Sequence, residues 1–416
     1  MKVHRYQIKI EPNNRRVLFK PFVILSEERK YKIIKRILNL TESEVNRELS
    51  MVVAEFEKRH QRGYLFFLNR FEQMKKYVLT EKPLSEERKI LIGAYFTQEF
   101  SLESTAIFNP SMIWHPDQSN LAAGKKRFIV SLRATGEGHV SSIVFRSGII
   151  DEQSNIQLDE PSHFVEMPEI KILNDDFYEA HFNPEDDISE RAIFPQMPSE
   201  SNGIEDARFV EFKDNGGTTY YATYCAYDGH NVSTQLLQTK DFLNFKMGKL
   251  KGKEIQNKGM ALFPRKVNSK FVMLSRQDNE NNFIMFSDDL YKWESKQLLM
   301  EPQYPWEFFQ IGNCGSPVET EKGWLCLSHG VGAARKYVIG AFLLDKNDPT
   351  KLIGRLKEPL LEANELEREG YVPHVVYSCG GVINGKDFVF PYAMSDYASS
   401  FASVNLNELL DELTKE

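Results

Sequence analysis

Between residues 104 and 416 one local pattern recurs five times: a polar turn runs straight into a strongly apolar strand. The copies are KKRFIVSLRA (125–134), GGTTYYATYCAYD (216–228), NSKFVMLSRQ (268–277), EKGWLCLSHG (321–330) and NGKDFVFPYAM (384–394). From the second copy on, the leading aromatics recur at roughly 50–65 residues, the span of a blade made of several short strands. A second element repeats with them. Thr239-Lys-Asp-Phe-Leu-Asn-Phe245 and Ser287-Asp-Asp-Leu-Tyr-Lys-Trp293 share the pattern S/T-x-D-apolar-x-x-aromatic, 48 residues apart. Such a turn suits neighbouring strands of one sheet. The two repeats predict an all-β domain over 104–416, a five-bladed β-propeller. A β-sandwich, the next reading, would not readily account for the repeated turn.

Residues 1–103 read differently, as an extended lead-in followed by a helical N-terminal extension. Ile33, Ile34, Ile37 and Leu38 fall at helical spacing, the mark of a one-faced helix. Thr41 with Glu44 forms the sequence signature of a capping box. A third helical stretch covers about 63–79, Pro83 breaks it, and Ser85 with two glutamates opens another. The charged faces of this arm offer a packing or homo-oligomer surface.

The net charge of −7 argues against a nucleic-acid partner. With no window of 18 apolar residues, no membrane span is expected. The first residues lack the apolar run of a secretory signal. Cys225, Cys314, Cys326 and Cys379 form no CxxC pair, so buried free thiols and a reducing cytoplasmic location are the expectation. The nine histidines show no ligand spacing, and no phosphate loop or dinucleotide fingerprint is present. Neither a metal nor a cofactor is expected.

The apolar strands end in polar clusters: Arg133, Tyr227-Asp228, Arg276, His329 and Ser395-Asp396. In a propeller such ends can converge on one pocket. The densest polar motif is Gly203-Ile-Glu205-Asp206-Ala-Arg208. On a regular strand residues 206 and 208 share a face. Glu205 disfavours a second charge on Asp206 and Arg208 favours it. By spacing alone this is either a tuned acid or a structural ion pair. Glu280 lies in an amide-rich island, and Glu307 sits beside Trp306 in apolar sequence. Each is either an ordinary structural carboxylate or one held for acid–base work, and Trp306 could stack on a sugar.

With these motifs in view, the chain resembles glycoside hydrolase family 130, the β-mannoside phosphorylases and β-1,2-mannosidases. The matching stretches include Phe108-Asn109-Pro110, SLRATGEGHVSSIVFRSG (131–148), GIEDARFV (203–210), NKGMALFPRK (257–266), SHGVG (328–332) and EREGYVPHVVYSCG (367–380). The resemblance implies a five-bladed propeller and an inverting reaction on a terminal β-mannosyl unit. It implies Asp206 as the acid, acting through a sugar hydroxyl. It matches Arg146, Lys258, Arg276, His329 and Tyr337 to a phosphate site. Asn109, Arg133, Glu205, Arg208, Tyr227, Asp228, Trp306 and Asp396 complete the candidate substrate- or phosphate-binding set, with a β-mannoside oligosaccharide as the expected partner. Two departures, Asn257-Lys-Gly-Met260 and Ser275-Arg-Gln277, together with Glu280 and Glu307 as general-base candidates, place the chain nearer the β-1,2-mannosidase-like branch. The expectation is therefore an exo-acting hydrolase releasing mannose from β-1,2-mannosides. The alternative is a phosphorylase making mannose 1-phosphate, with inorganic phosphate as co-substrate.

Overall fold

The computed structural model describes residues 1–214 and 216–415. It divides into a β unit, Met1–Pro12, Thr105–Pro161 and Glu166–Glu416, and a second unit, Asn13–Ser104 with Ser162–Val165. Residues 1–12, which the sequence reading places with the helical arm, belong to the β unit: Val3–Arg5 pairs with Ala398–Asn405. The main-chain groups of an edge strand need partners, and the N-terminus supplies them.

The described residues of the β unit form five antiparallel meanders. The first is Ala106–Trp114, Lys126–Thr135 and Ser141–Ile150. The second runs Gly203–Asp214, Gly217–Tyr227, Val232–Thr239 and Asn244–Lys249. Ala261–Leu262, Phe271–Ser275, Asn282–Ser287 and Lys296–Met300 make the third. Gln310–Asn313, Trp324–Val331, Tyr337–Leu344 and Leu352–Arg355 make the fourth. The fifth holds Val376–Tyr377, Asp387–Met394 and Ala398–Asn405. The repeated aspartate turn closes outer strands of the second and third meanders. Asp241 Oδ1 accepts from Leu243 N and Asn244 N at 2.9 and 2.8 Å, and Asp289 Oδ1 from Tyr291 N at 2.9 Å.

Apolar side chains fill the space between successive meanders. Phe145 meets Phe209 and Phe242 between the first and second, and Phe212 meets Met273 between the second and third. Phe263 packs with Trp324 between the third and fourth, and Leu343 with Phe390 between the fourth and fifth. Phe108 of the first meander packs with Ala393 of the fifth. Each such fully buried large apolar side chain contributes about 1.5–3 kcal/mol. Main-chain bonds add to the last contact: Cys379 N donates to Pro110 O at 2.8 Å and Ile107 N to Tyr397 O at 2.9 Å. All four cysteines are buried free thiols, and burial pushes Cys225 up to about 11.

In the second unit, α1 (Glu27–Leu38), α2 (Glu42–Phe56), α3 (Gly63–Met74) and α4 (Glu86–Tyr95) lie between the paired strands Val17–Pro21 and Thr97–Ser101. The capping box at Thr41 and Glu44 forms, and Ser85 accepts from Arg88 N. The helices bury Ile34, Ile37, Val45, Phe71, Leu91 and Phe96 against one another. Beneath the strands Arg16 Nε meets Glu103 Oε1 at 2.8 Å with both side chains fully buried. Arg16 also donates to the carbonyls of Ser162 and Phe164, which ties 162–165 into this unit. Removing one partner of a buried pair strands the other's charge, at a cost of about 3–5 kcal/mol. Glu103→Ala is expected to lose that much in urea unfolding, whereas Glu11→Ala, which breaks an exposed pair, should lose less than about 1 kcal/mol.

Candidate functional site

Strand ends of all five meanders meet at one cleft of about 140 Å³. Its lining comprises Phe108, Asn109 and Arg133 from the first meander, Asp206 from the second, and Lys258 and Arg276 from the third. The fourth gives His329, Arg335 and Tyr337, and the fifth Val375, Tyr377 and Asp396.

Two strand irregularities aim the central groups. Pairing slips between Phe108 and Ser111 on one strand and between Glu205 and Arg208 on another. At these bulges Asn109 and Asp206 adopt left-handed backbone, with φ of 48° and 54°. Bulges re-aim side chains in this way, and each such residue carries strain of order 1–3 kcal/mol. Asn109 Nδ2 donates to Asp206 Oδ1 across the cleft. Strict alternation along the strand thus fails at Asp206, yet the pairing read from the sequence survives: Arg208 Nη2 lies 3.7 Å from Asp206 Oδ2. Arg208 itself is buried below the cleft, donating to Cys314 O at 2.8 Å, to Asp206 O at 2.9 Å and to Tyr377 Oη at 3.0 Å.

The charges divide into two groups. Arg133 Nη2 reaches Glu205 Oε1 at 2.6 Å and its Nη1 reaches Asp206 Oδ1 at 3.5 Å, and Lys258 Nζ lies 3.9 Å from Glu205 Oε2. Arg276 and Arg335 have no carboxylate at ion-pair distance among the described residues, and Arg276 Nε is buried without a hydrogen-bond partner. Gly259 makes room for it: with φ of 90°, a Cβ at that position would sit 2.5 Å from Arg276 Nε. Burial, with Arg276 and Arg208 nearby, holds His329 well below the usual imidazole range, so its ring is neutral. Tyr337 stacks on it at 6.1 Å.

Burial alone would raise Asp206, but Lys258, Arg133, Arg208 and the Asn109 amide outweigh it and hold the carboxyl well below the ordinary range. With these partners Asp206 is ionised. Burial dominates at Asp396 instead and pushes it up to about 6.

Several residues singled out from the sequence fall elsewhere. Glu307 is fully buried, capping a single turn by accepting from Gln303 N and Tyr304 N at 2.8 and 2.9 Å, and it pairs with Arg355. Glu280 is exposed on a turn capped by Asp278, which accepts from Glu280 N at 2.9 Å. Neither glutamate lines the cleft. Trp306 lies over Gly330 and Gly340 and donates to Lys357 O at 3.0 Å, so its ring is occupied in packing. Tyr227 donates to Gly229 O at 2.8 Å, and Asp228 caps the same hairpin by accepting from His230 N at 2.8 Å. Arg146 is buried with Nη1 donating to Phe145 O at 2.9 Å, outside the lining. Conversely, the sequence reading passed over Phe108, Arg335, Val375 and Tyr377. Phe108, Val375 and Tyr377 sit inside recognisable motifs. Arg335 follows SHGVG in a left-handed turn (φ 57°) that no periodicity marks.

Residues 167–416, more than half of the chain, match the family model Glyco_hydro_130, described as beta-1,4-mannooligosaccharide phosphorylase. The chain is 32% identical over 232 residues to the beta-1,2-mannobiose phosphorylase of Listeria innocua, covering 54% of this chain and 64% of that relative. That match spans just under two thirds of the relative's length. Over 224 residues it is 34% identical to the 1,2-beta-oligomannan phosphorylase of a Thermoanaerobacter species, covering 51% of this chain and 72% of the relative. Among solved structures, the Listeria innocua phosphorylase in complex with beta-1,2-mannobiose superposes with a TM-score of 0.56 at 23% identity, covering 76% of this chain and 94% of that one. A family member from work on hydrolases that target beta-1,2 mannosidic linkages in Candida mannan gives 0.55 at 21%, covering 74% of this chain and 87% of that one. These two likenesses speak for the fold.

The raised carboxyl at Asp396 has a thermodynamic consequence. Between about pH 4 and 6 the folded chain keeps a proton that the unfolded chain has released, so stability falls as pH rises through that window and stays lower above it. Asp396→Asn should therefore unfold at higher urea than the parent at pH 7, by about 1–3 kcal/mol, and match it near pH 4. A gain of equal size at both pH values would argue against this origin.

Proposed function

We propose, from the premise that this chain belongs to glycoside hydrolase family 130, that it is an inverting β-mannoside phosphorylase acting on β-1,2-linked mannosides. The carrying observation is that Lys258, Arg276, His329, Arg335 and Tyr337 converge beside Asp206, and that Arg276 and Arg335 have no carboxylate at ion-pair distance among the described residues. An oxyanion such as phosphate answers that arrangement. The two glutamates expected to activate water are elsewhere, and a glutamate facing the same cations would repel a dianion. The names of the two relatives given above lean the same way, and both specify β-1,2 linkages.

In this reading a terminal mannosyl unit lies against Asn109, Arg133 and Asp206. A phosphate oxygen attacks the anomeric carbon as the glycosidic C–O bond breaks. Asp206 supplies the proton to the leaving oxygen through a sugar hydroxyl. An acid must first hold a proton, and Lys258, Arg133 and Arg208 oppose this. Phosphate bound at Lys258 and Arg276 offsets them: one unit charge about 4 Å away is worth roughly 4 kcal/mol at an effective dielectric of 20. Anion binding and protonation of Asp206 are thus coupled, so the acid is armed when the nucleophile is present.

The five meanders are, in the same proposal, the blades of a closed propeller. Each neighbouring pair shares apolar packing, the first and fifth included. A second cavity of about 300 Å³ supports the ring, because it too draws lining from all five meanders: Trp114, Val210, Arg265, Val318 and Val382 are among its walls. The strands carrying Asn109 and Asp206 run from one cavity to the other.

Hydrolysis is the second reading. Asp396, the other carboxylate of the lining and raised to about 6, would have to be its base. Incubation with β-1,2-mannobiose separates the two. Strict dependence on inorganic phosphate with mannose 1-phosphate as product is expected. Mannose alone, released at the same rate without phosphate, would overturn the phosphorylase reading. Asp206→Asn should lower turnover by about 10²–10⁴-fold, and activity within about threefold of the parent would remove Asp206 from the acid's role.

A further inference from the structure

Segments next to the cleft's lining carry an aromatic pair that none of the chemistry above uses. Tyr371 is 68% exposed. Its ring centre lies 6.0 Å from that of His139, with the planes 37° apart. The two come from different meanders, so local sequence does not bring them together.

Both are held in place by the cleft's own scaffold. On the fifth meander, Gly370 lies so close to Ser395 that a Cβ there would fall 2.6 Å from the serine Cβ. Val372 N donates to Ser395 O at 2.9 Å, and Val375, a lining residue, bridges to Tyr337. Tyr371 therefore projects from a segment fixed between Asp396 and Tyr337. On the first meander, the turn Glu137–His139 carries Gly138 and His139 in left-handed backbone, with φ of 65° and 58°. That turn follows the strand of Arg133, whose Nε donates to Ser141 Oγ at 2.9 Å just beyond it. The segments that carry the pair thus adjoin those of Arg133 and Asp396.

The cleft is open on one side, and a sugar on the leaving side of the scissile bond lies toward that opening in the β-mannoside reading. An aromatic face offers apolar contact to the C–H face of a pyranose, while the tyrosine hydroxyl and the imidazole nitrogens can bond to its hydroxyls. We propose that Tyr371 and His139 form the platform for the sugar on the leaving side of the scissile bond and set the preference for mannosides of two or more units. The proposal rests on the β-mannoside reading of the cleft and not on whether phosphate or water attacks.

Calorimetric titration of Asp206→Asn protein with β-1,2-mannobiose and with mannose tests it. In that background Tyr371→Ala should weaken mannobiose about tenfold and mannose less than twofold. Tyr371→Phe should keep mannobiose within about threefold, and His139→Ala should weaken it about threefold to fivefold. Three results would overturn the platform: mannobiose unchanged within twofold in Tyr371→Ala, mannose weakened as much as mannobiose, or mannobiose no tighter than mannose in the Asp206→Asn parent. Binding of neither sugar to that parent would overturn the β-mannoside reading along with it. The phosphorylase reading is decided separately, by the phosphate dependence of the unmodified enzyme.

Discussion

The buried guanidinium of Arg208 holds the site together. It belongs to the second meander, yet it donates to Cys314 O of the segment leaving the fourth meander's first strand and to Tyr377 Oη of the fifth. Its remaining bonds go to the carbonyl and carboxylate of Asp206. A charge this deep is tolerated only when nearly every donor is used, because desolvation costs several kcal/mol. The same side chain that fixes three meanders at the centre of the β unit therefore also fixes the position of Asp206 and keeps a positive charge beneath it. Architecture and electrostatics share one residue here, which is why the cleft cannot be described apart from the packing below it.

Around that centre the chain concentrates its backbone strain. Asn109, Asp206, Arg335, Ser395 and Asp396 all sit at positive φ and either line the cleft or flank its lining. Regular strands would point alternate side chains into the apolar layers between meanders. Left-handed residues at the strand ends turn polar groups toward the cleft instead. The large apolar clusters between meanders supply the stability against which this strain is held.

The electrostatics follow from the same geometry. Glu205 and Asp206 engage Arg133 and Lys258, while Arg276 and Arg335 have no carboxylate at ion-pair distance among the described residues. Such a cleft is matched to a ligand with one anionic and one neutral part, because only part of its positive charge is compensated internally. Neutral His329 fits this division, since it can bond to an anion without adding a further buried charge.

Sequence alone determined the elements. Turn-plus-strand repeats, the aspartate turn and the caps at Thr41 and Ser85 are local patterns, and local hydrogen bonding decides them. The pairing of Asp206 with Arg208 was also legible, two residues apart on one strand. What the sequence left open depended on distant partners. Glu307 carried the signature of a poised acid, but Arg355, 48 residues further on, makes it a structural cap. Glu280 and Trp306 were misplaced for the same reason: an exposed turn and a pair of glycines on neighbouring strands decided their surroundings. Arg335 and Tyr371 gained their places from loops that meet only when the meanders assemble. Side-chain type and periodicity specify which strands form, whereas the convergence of their ends, and so the charge balance of the cleft, arises from packing between segments far apart in the chain.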